Sequence, residues 1–170
     1  MNQELARVLE GCLDPRTIHD SELRLQQLSE QPDFTEQLLR LIPSSQNDLL
    51  IMVLSQLKNY MTAKYNSEQG RISEGQKDVL RNNMFDLFYE LRNNPSAVKL
   101  YKGIIYIVIA VDFPWTGLDQ MLLNDLTTKI EAGVYFCRQV AKVYEYFEGH
   151  LRQPLENFIS NLFPKLEDIV

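Results

Sequence analysis

Amphipathic segments recur along the 170-residue chain at a nearly constant spacing. The first segment places Leu5, Leu9 and Cys12 on one helix face, because side chains four and three residues apart share a face. The segments that would open successive helix pairs begin near Gln3, Phe34, Glu74, Trp115 and Pro154, so their starts are 31, 40, 41 and 39 residues apart. Two helices in each period of about 40 residues are typical of a stacked helical array.

We therefore predict an all-α protein, a right-handed HEAT-repeat α-solenoid of about four and a half helix pairs. The array would cover residues 1–170 as one domain, with repeats near 3–29, 34–65, 74–112 and 115–147 and an unpaired helix at 154–169. An irregular helical bundle is the alternative. Only 7 glycines and 7 prolines occur, and this argues against an all-β fold, which needs many turns.

Residue patterns typical of helix N-termini separate the amphipathic segments. Asp14-Pro15 and Asn94-Pro95 each predict a cap followed by proline in the first helical turn, where its missing N–H costs nothing. Capping-box spacing predicts two more helix starts, at Asp33 with Glu36 and at Ser73 with Gln76.

The run GIIYIVIAV at 103–111 has the β-branched and aromatic composition of a buried strand. We expect a helix instead, because the run continues a helical start and no second strand is available to pair with it. Phe113-Pro114 would end this helix, and further helices are expected at 115–130 and 131–147.

The last predicted helix carries a long apolar face and has no second helix after it before Val170. Its apolar residues are Leu155, Phe158, Ile159, Leu162, Phe163 and Leu166. We expect part of this face to be exposed. Such a face suggests a piece of a longer array or a chain that dimerises through its C-terminal end.

Charge and composition exclude several partner classes. The net charge of −6 argues against nucleic acid or an anionic membrane as the main partner, since both favour a basic surface. The longest apolar run is far shorter than the ~20 residues that cross a bilayer, so membrane insertion is not expected. The polar N-terminus does not resemble a secretory signal, and Cys12 and Cys137 indicate two buried thiols in a reduced, intracellular protein.

Catalytic and metal-binding patterns are missing from the sequence. His19 and His150 lie in no spacing that makes a metal site or a catalytic pair, and His19 is expected on a solvated face. Five aromatic residues cluster late in the chain, and we interpret them as core: Tyr135, Phe136, Tyr144, Tyr146 and Phe147. We predict no catalytic residue, no metal and no cofactor, and thus not an enzyme.

A binding surface is the remaining candidate. The fourth predicted helix carries Lys58, Asn59 and Lys64 near its end. Six residues turn a helix by about 600°, so the two lysines lie about 120° apart and share a broad surface. Ordinary solvated lysines are the alternative.

Several motifs, in order, resemble the N-terminal region of the importin-β superfamily of nuclear transport receptors, and the importin seven and eight branch is the most similar. Ser21-Glu22-Leu23-Arg24-Leu25 resembles the core of the family's first repeat, and Leu57-Lys58-Asn59 matches its Leu-Lys-Asn. Two longer stretches, PDFTEQLLRLI and ISEGQKDVLRNNMFDLF, are also similar to the family, and so is the turn Asp112-Phe113-Pro114-Trp115. The chain departs from the family before Leu57, where Ile51, Leu54 and Ser55 replace its Arg-x-x-Ala-Ala.

The resemblance implies a receptor that binds the GTP form of the GTPase Ran through the concave helices of its first repeats and acts in protein import into the nucleus. It implies Lys58 and Asn59, with Lys64 and Asp112 as weaker candidates, on the Ran-binding surface. Further expected partners are Phe-Gly repeats of nucleoporins and basic protein cargo, with locations in the nucleus, the cytoplasm and the nuclear pore. A small cytosolic HEAT-repeat scaffold with no transport role is the alternative.

Overall fold

The computed structural model describes residues 2–66 and 72–167, which contain nine α-helices, two short 3₁₀ turns and no strand. The helices are α1 (Asn2–Gly11), α2 (Ile18–Ser29), α3 (Phe34–Leu41), α4 (Asn47–Lys64), α5 (Glu74–Leu91), α6 (Pro95–Asp112), α7 (Leu118–Thr128), α8 (Ile130–Tyr144) and α9 (Gln153–Glu167). The all-α fold class is therefore confirmed, and the succession of helices is consistent with a HEAT-like array. The repeat boundaries of that array stay a prediction.

The chain divides into two compact units, Met1–Ile104 and Ile105–Val170, and the division falls within α6. Among the described helices, none is both long enough and apolar enough to cross a bilayer.

The first unit is built on paired helices that share a leucine-rich core. Helix α1 packs against α2, α3 and α4, and α3 packs against α4 and α5. Leu5 and Leu9 of α1, Leu38 of α3 and Leu57 of α4 are completely buried. The hydroxyl of Tyr101 in α6 donates a hydrogen bond to the carbonyl of Met84 in α5, at 3.2 Å, which satisfies a buried polar group.

The second unit packs α7 against α8 and α9, and α8 against α9. An aromatic cluster joins the segment after α6 to α8 and α9. The ring of Phe113 lies 5.2 Å from that of Tyr144 and 5.1 Å from that of Phe158, between ring centroids. The Tyr144 hydroxyl also donates to the Phe113 carbonyl at 3.2 Å, so a buried loop carbonyl is satisfied.

Two of the predicted helix starts are confirmed. At α5, the Ser73 hydroxyl accepts from the Gln76 backbone N–H and the Gln76 side chain accepts from the Ser73 N–H, a complete capping box. At α6, Asn94 Oδ1 accepts from the Ala97 N–H at 3.1 Å, and Pro95 is the first helical residue. Residues 103–111 are helical as expected, despite their strand-like composition.

The predicted start at Asp14-Pro15 is wrong, because α2 begins only at Ile18. The Asp14 carboxylate accepts bonds from the Arg16 backbone and guanidinium instead of capping a helix, and the Arg16 hydrogen bonds lower the pKa of Asp14. The Thr17 hydroxyl donates back to the Gly11 carbonyl at 2.9 Å, so this segment closes α1 with a turn.

The capping box predicted at Asp33 is also wrong. Asp33 occupies the N-cap position of α3, but its side chain makes no cap hydrogen bond. Glu36 pairs with Arg40 one turn later and does not reach back to the cap.

The helix expected from residue 115 begins at Leu118. Gly117 adopts a left-handed φ of 82°, which a helix interior does not accommodate, and Leu118 N–H bonds to the Trp115 carbonyl at 3.3 Å. Residues 115–117 therefore form a turn before α7.

The late aromatic residues do not all lie in the core. Phe136 and Tyr144 are buried as predicted, but Tyr146 is 84% exposed and Phe147 is also exposed, because both follow the end of α8. Cys12 is buried whereas Cys137 is only half-buried, so the expectation of two buried thiols holds for one of them.

Candidate partner-binding surface

Helix α4 separates its apolar residues from the residues proposed for binding. Its buried side chains are Leu50, Val53, Leu54, Leu57 and Met61. Asn59 is exposed, and Lys58 and Lys64 are half-buried. A half-buried lysine packs its aliphatic stem on the protein and keeps its ammonium group in water.

Lys58 lies close to Gly103 of α6. A Cβ atom built on Gly103 would come within 2.8 Å of Lys58 Cε and 3.5 Å of Lys58 Nζ. The missing side chain of this glycine leaves the space that the lysine stem occupies. The side chain of Lys58 in α4 and the backbone of Gly103 in α6 are therefore neighbours in the first unit.

Lys64 lines a groove of about 390 Å³ between α2 and α4. Glu22, Gln26 and Ser29 of α2 and Tyr60 of α4 line it as well. The ring of Tyr60 packs edge-on against Phe34 with 5.0 Å between ring centroids, and burial, followed by the charge of Glu30, raises the pKa of its hydroxyl. The groove therefore combines a rigid aromatic residue with charged and polar groups of both signs.

The sequence interpretation did not identify the α2 side of this groove. It also missed the contact between Lys58 and Gly103. A glycine inside an otherwise strongly helical, apolar segment is the signal that could have shown it, since such a glycine often marks a close approach of another group.

Asp112 is the last residue of α6 and belongs to the second unit, whereas Lys58, Asn59 and Lys64 belong to the first. It is half-buried and precedes Phe113 and Pro114, the peptide bond between which is cis.

Within residues 2–66 and 72–167, no group of three or more His, Cys, Asp or Glu side chains is placed to hold a metal ion. Burial raises the pKa of both thiols, Cys12 and Cys137, which keeps them protonated and poorly nucleophilic. His19 lies on the exposed surface of α2.

Comparison with protein families gives one match. The family model of the importin-beta N-terminal domain matches residues 21–90. The matched region is 70 residues long, and we refer to it below as the importin-beta N-terminal domain. The match supports membership of the importin-β superfamily, as the sequence motifs indicated, and a role in nuclear transport in general. Similarity to the importin seven and eight branch stays a prediction.

The importin-beta N-terminal domain extends from Ser21 in α2 to Glu90 in α5 and contains all of α3 and α4. Lys58, Asn59 and Lys64 lie inside it, and Asp112 lies outside. Searches of curated proteins and of solved structures gave no match.

A second groove lies in the second unit, beyond the residues that match the importin-beta N-terminal domain. It has a volume of about 620 Å³ and lies between α8 and α9. Leu155, Phe158 and Leu162 of α9 are buried, whereas Ile159 is 42% exposed and Phe163 is 58% exposed. The apolar face expected on the last helix is thus partly covered by α7 and α8 and partly exposed.

Proposed function

We propose that this chain is a nuclear transport receptor segment that binds the GTP form of Ran and acts in protein import into the nucleus. The observation that supports the proposal most strongly is the importin-beta N-terminal domain at residues 21–90, whose α4 carries the exposed Asn59 and the half-buried Lys58 and Lys64. The chain would act by binding alone, without catalysis. Its locations would be the cytoplasm, the nucleus and the nuclear pore between them.

The chemistry of α4 suits a polar protein interface. Two ammonium groups and one amide supply hydrogen-bond donors for carboxylates and carbonyls of a partner, and Tyr60 supplies rigid apolar area. A stable interface covers about 800 Å² on each partner, more than one helix face offers. The neighbouring faces of α2 and of the first half of α6 would therefore take part. Lys99, exposed four residues before Gly103, and the half-buried Lys102 are the cations that α6 adds.

The proposal is tested by equilibrium binding of the full chain to Ran loaded with a non-hydrolysable GTP analogue or with GDP. We expect at least about tenfold tighter binding to the GTP form, a difference of about 1.4 kcal/mol. Equal affinity for the two forms, with the chain shown to be helical by circular dichroism, would overturn the proposal and favour a helical-repeat scaffold without a transport role.

Variants locate the surface. Lys58→Glu should weaken binding to the GTP form by about tenfold, because it places a carboxylate where a donor is needed. Lys58→Met keeps the stem that packs near Gly103 and removes only the charge, so it separates lost charge from lost packing. Arg40→Glu is the matched control, since Arg40 is 63% exposed on a different helix, α3, of the same domain. Equal losses from Lys58→Glu and Arg40→Glu would remove Lys58 from the proposed surface.

Phe-Gly repeats of nucleoporins and basic cargo complete the proposed set of partners. The net charge of −6 favours encounters with basic proteins, because complementary charge speeds association. Binding to a Phe-Gly peptide and to a basic ribosomal protein would be measured separately from Ran. Neither measurement decides the Ran proposal.

A further inference from the structure

The α8–α9 groove has an apolar floor and an open top. Val140 and Ala141 of α8 face Leu155, Phe158 and Leu162 of α9 across it. Ile159 and Phe163 stand at its edge and remain 42% and 58% exposed. A helix that covers the exposed parts of these two side chains would remove apolar surface from water, which favours binding.

Helix α7 contacts both α8 and α9 in this unit. It leaves Ile159 and Phe163 at the groove partly exposed. These two side chains are therefore the apolar surface that the groove offers to a ligand.

The charge around the α8–α9 groove is opposite to that of the chain. Arg138, Lys142 and Arg152 line it, and Glu145 is the acidic residue among the lining residues. The local sum is therefore +2, in a chain whose net charge is −6. Arg152 Nε lies 3.9 Å from Glu156 Oε1, which leaves Arg138 and Lys142 of α8 as the main cations facing a ligand.

We propose that the α8–α9 groove is a docking site for an amphipathic helix of a partner protein whose apolar stripe is flanked by Asp or Glu. The stripe would cover Ile159 and Phe163, and the flanking carboxylates would pair with Arg138 and Lys142. The site lies outside the importin-beta N-terminal domain at 21–90 and does not depend on Ran binding.

The test uses three synthetic peptides of about 18 residues, roughly five helical turns. The first has leucine at i, i+3, i+4 and i+7 spacing with glutamate beside the stripe. The second replaces those glutamates by lysine, and the third scrambles the first. Fluorescence anisotropy with the full chain should show micromolar binding of the acidic helix and at least about tenfold weaker binding of the other two. Equal binding of all three would overturn the proposal.

Variants of the chain show whether the peptide occupies this groove. Phe163→Ala should weaken binding of the acidic helix about tenfold, because a central apolar contact is lost. Leu151→Ala is the matched control, since Leu151 is 54% exposed in the same unit but does not line the groove. Equal losses in the two variants would contradict the assignment.

Charge reversal distinguishes an acidic helix from other occupants. The double variant Arg138→Glu, Lys142→Glu should prefer the lysine peptide over the glutamate peptide. Sedimentation of the unmodified chain tests a second copy as the occupant. A dimer of the unmodified chain that Phe163→Ala dissociates would overturn the partner-helix proposal. A Phe-Gly peptide that displaces the acidic helix, and binds the charge-reversed variant as tightly as the unmodified chain, would also overturn it.

Discussion

The aliphatic stem of Lys58 occupies the space left by the missing side chain of Gly103. A Cβ atom on Gly103 would meet Lys58 Cε at 2.8 Å and Lys58 Cδ at 3.3 Å. These are atoms near the free end of a flexible side chain, so they can move without any change in the backbone of α4. Gly103 thus affects the orientation of the Lys58 side chain more than it affects the packing of α4 against α6.

Gly103→Ala should separate stability from binding. Alanine favours a helix interior over glycine by about 1 kcal/mol, and displacing the end of Lys58 costs less than that, so the free energy of unfolding should stay equal or rise. Binding to the GTP form of Ran, if Lys58 contributes to it, should weaken severalfold because the ammonium group moves. Urea denaturation and equilibrium binding measure the two effects. A large loss of stability would contradict this description of the contact.

Thr35→Val should stabilise the chain by about 1 kcal/mol. Thr35 of α3 is completely buried, and its hydroxyl has no hydrogen-bond partner among the described residues. Valine has nearly the same shape and removes the cost of burying an unpaired polar group. Thermal and urea denaturation measure the change.

Thr17→Val is the control for that prediction. The Thr17 hydroxyl donates to the Gly11 carbonyl at 2.9 Å, so the same substitution there should lower the free energy of unfolding by about 1 kcal/mol. A loss of stability in both variants would show that the Thr35 hydroxyl is satisfied.

Tyr101→Phe should change how stability depends on alkaline pH. Burial, followed by the charges of Asp86 and Glu90, raises the pKa of Tyr101 far above its usual value of about 10. The folded state holds the Tyr101 proton more tightly than the unfolded state. The protonated hydroxyl therefore makes its full contribution to stability below about pH 10, and this contribution is lost as the pH rises further. Stability of the unmodified chain should therefore fall above about pH 10, and more steeply than stability of the variant.

At neutral pH, Tyr101→Phe should cost about 1 kcal/mol, since the Met84 carbonyl loses its donor. Urea denaturation at pH 7 and at pH 10.5 measures both effects. Tyr146→Phe is the control, because Tyr146 is 84% exposed and should not alter either value. Parallel pH profiles for Tyr101→Phe and the unmodified chain would contradict the buried position of this hydroxyl.

Gln76→Ala should destabilise the importin-beta N-terminal domain more than Ser73→Ala. Loss of the Ser73 hydroxyl removes one capping bond and costs about 1 kcal/mol. Gln76 accepts from the Ser73 N–H at 2.8 Å and also donates from its amide to the carbonyl of Pro32, which precedes α3. Loss of the Gln76 side chain therefore removes both a cap and a link between two segments. Chemical denaturation should show a larger loss of stability for Gln76→Ala than for Ser73→Ala.

Much of the architecture followed from local sequence signals. The order of the nine helices in the described residues follows from apolar stripes and their interruptions. A helix that packs on a core needs apolar residues about every 3.6 positions, and this period can be found in the sequence. The cap at Asn94 and the capping box at Ser73 were found because both depend on residues within one turn. The start of α2 was not found, because Asp14 can bond to Arg16 as readily as to a helix N-terminus.

The candidate site was less predictable. Lys58, Asn59 and Lys64 were singled out through a Leu-Lys-Asn motif and their charge, and their assignment to a Ran surface stays a prediction. Which residues of α2 and α6 would join them depends on contacts across long stretches of chain, such as that between Lys58 and Gly103. No periodicity in the sequence encodes such contacts. The apolar face of α9 was predictable from its stripe, but the cations beside it on α8 were not.

The strand-like composition of residues 103–111 matters for aggregation, because these residues are held in a helix. It contains no charge and no proline over nine residues, and Ile104–Val111 is rich in β-branched side chains, which is the composition of segments that assemble into cross-β fibrils. Helix α6 directs every backbone N–H of this run into its own turns and leaves no edge for another chain. Lys102 and Asp112 flank the run as gatekeepers against aggregation. Keeping α6 folded therefore also keeps this run from pairing with another chain.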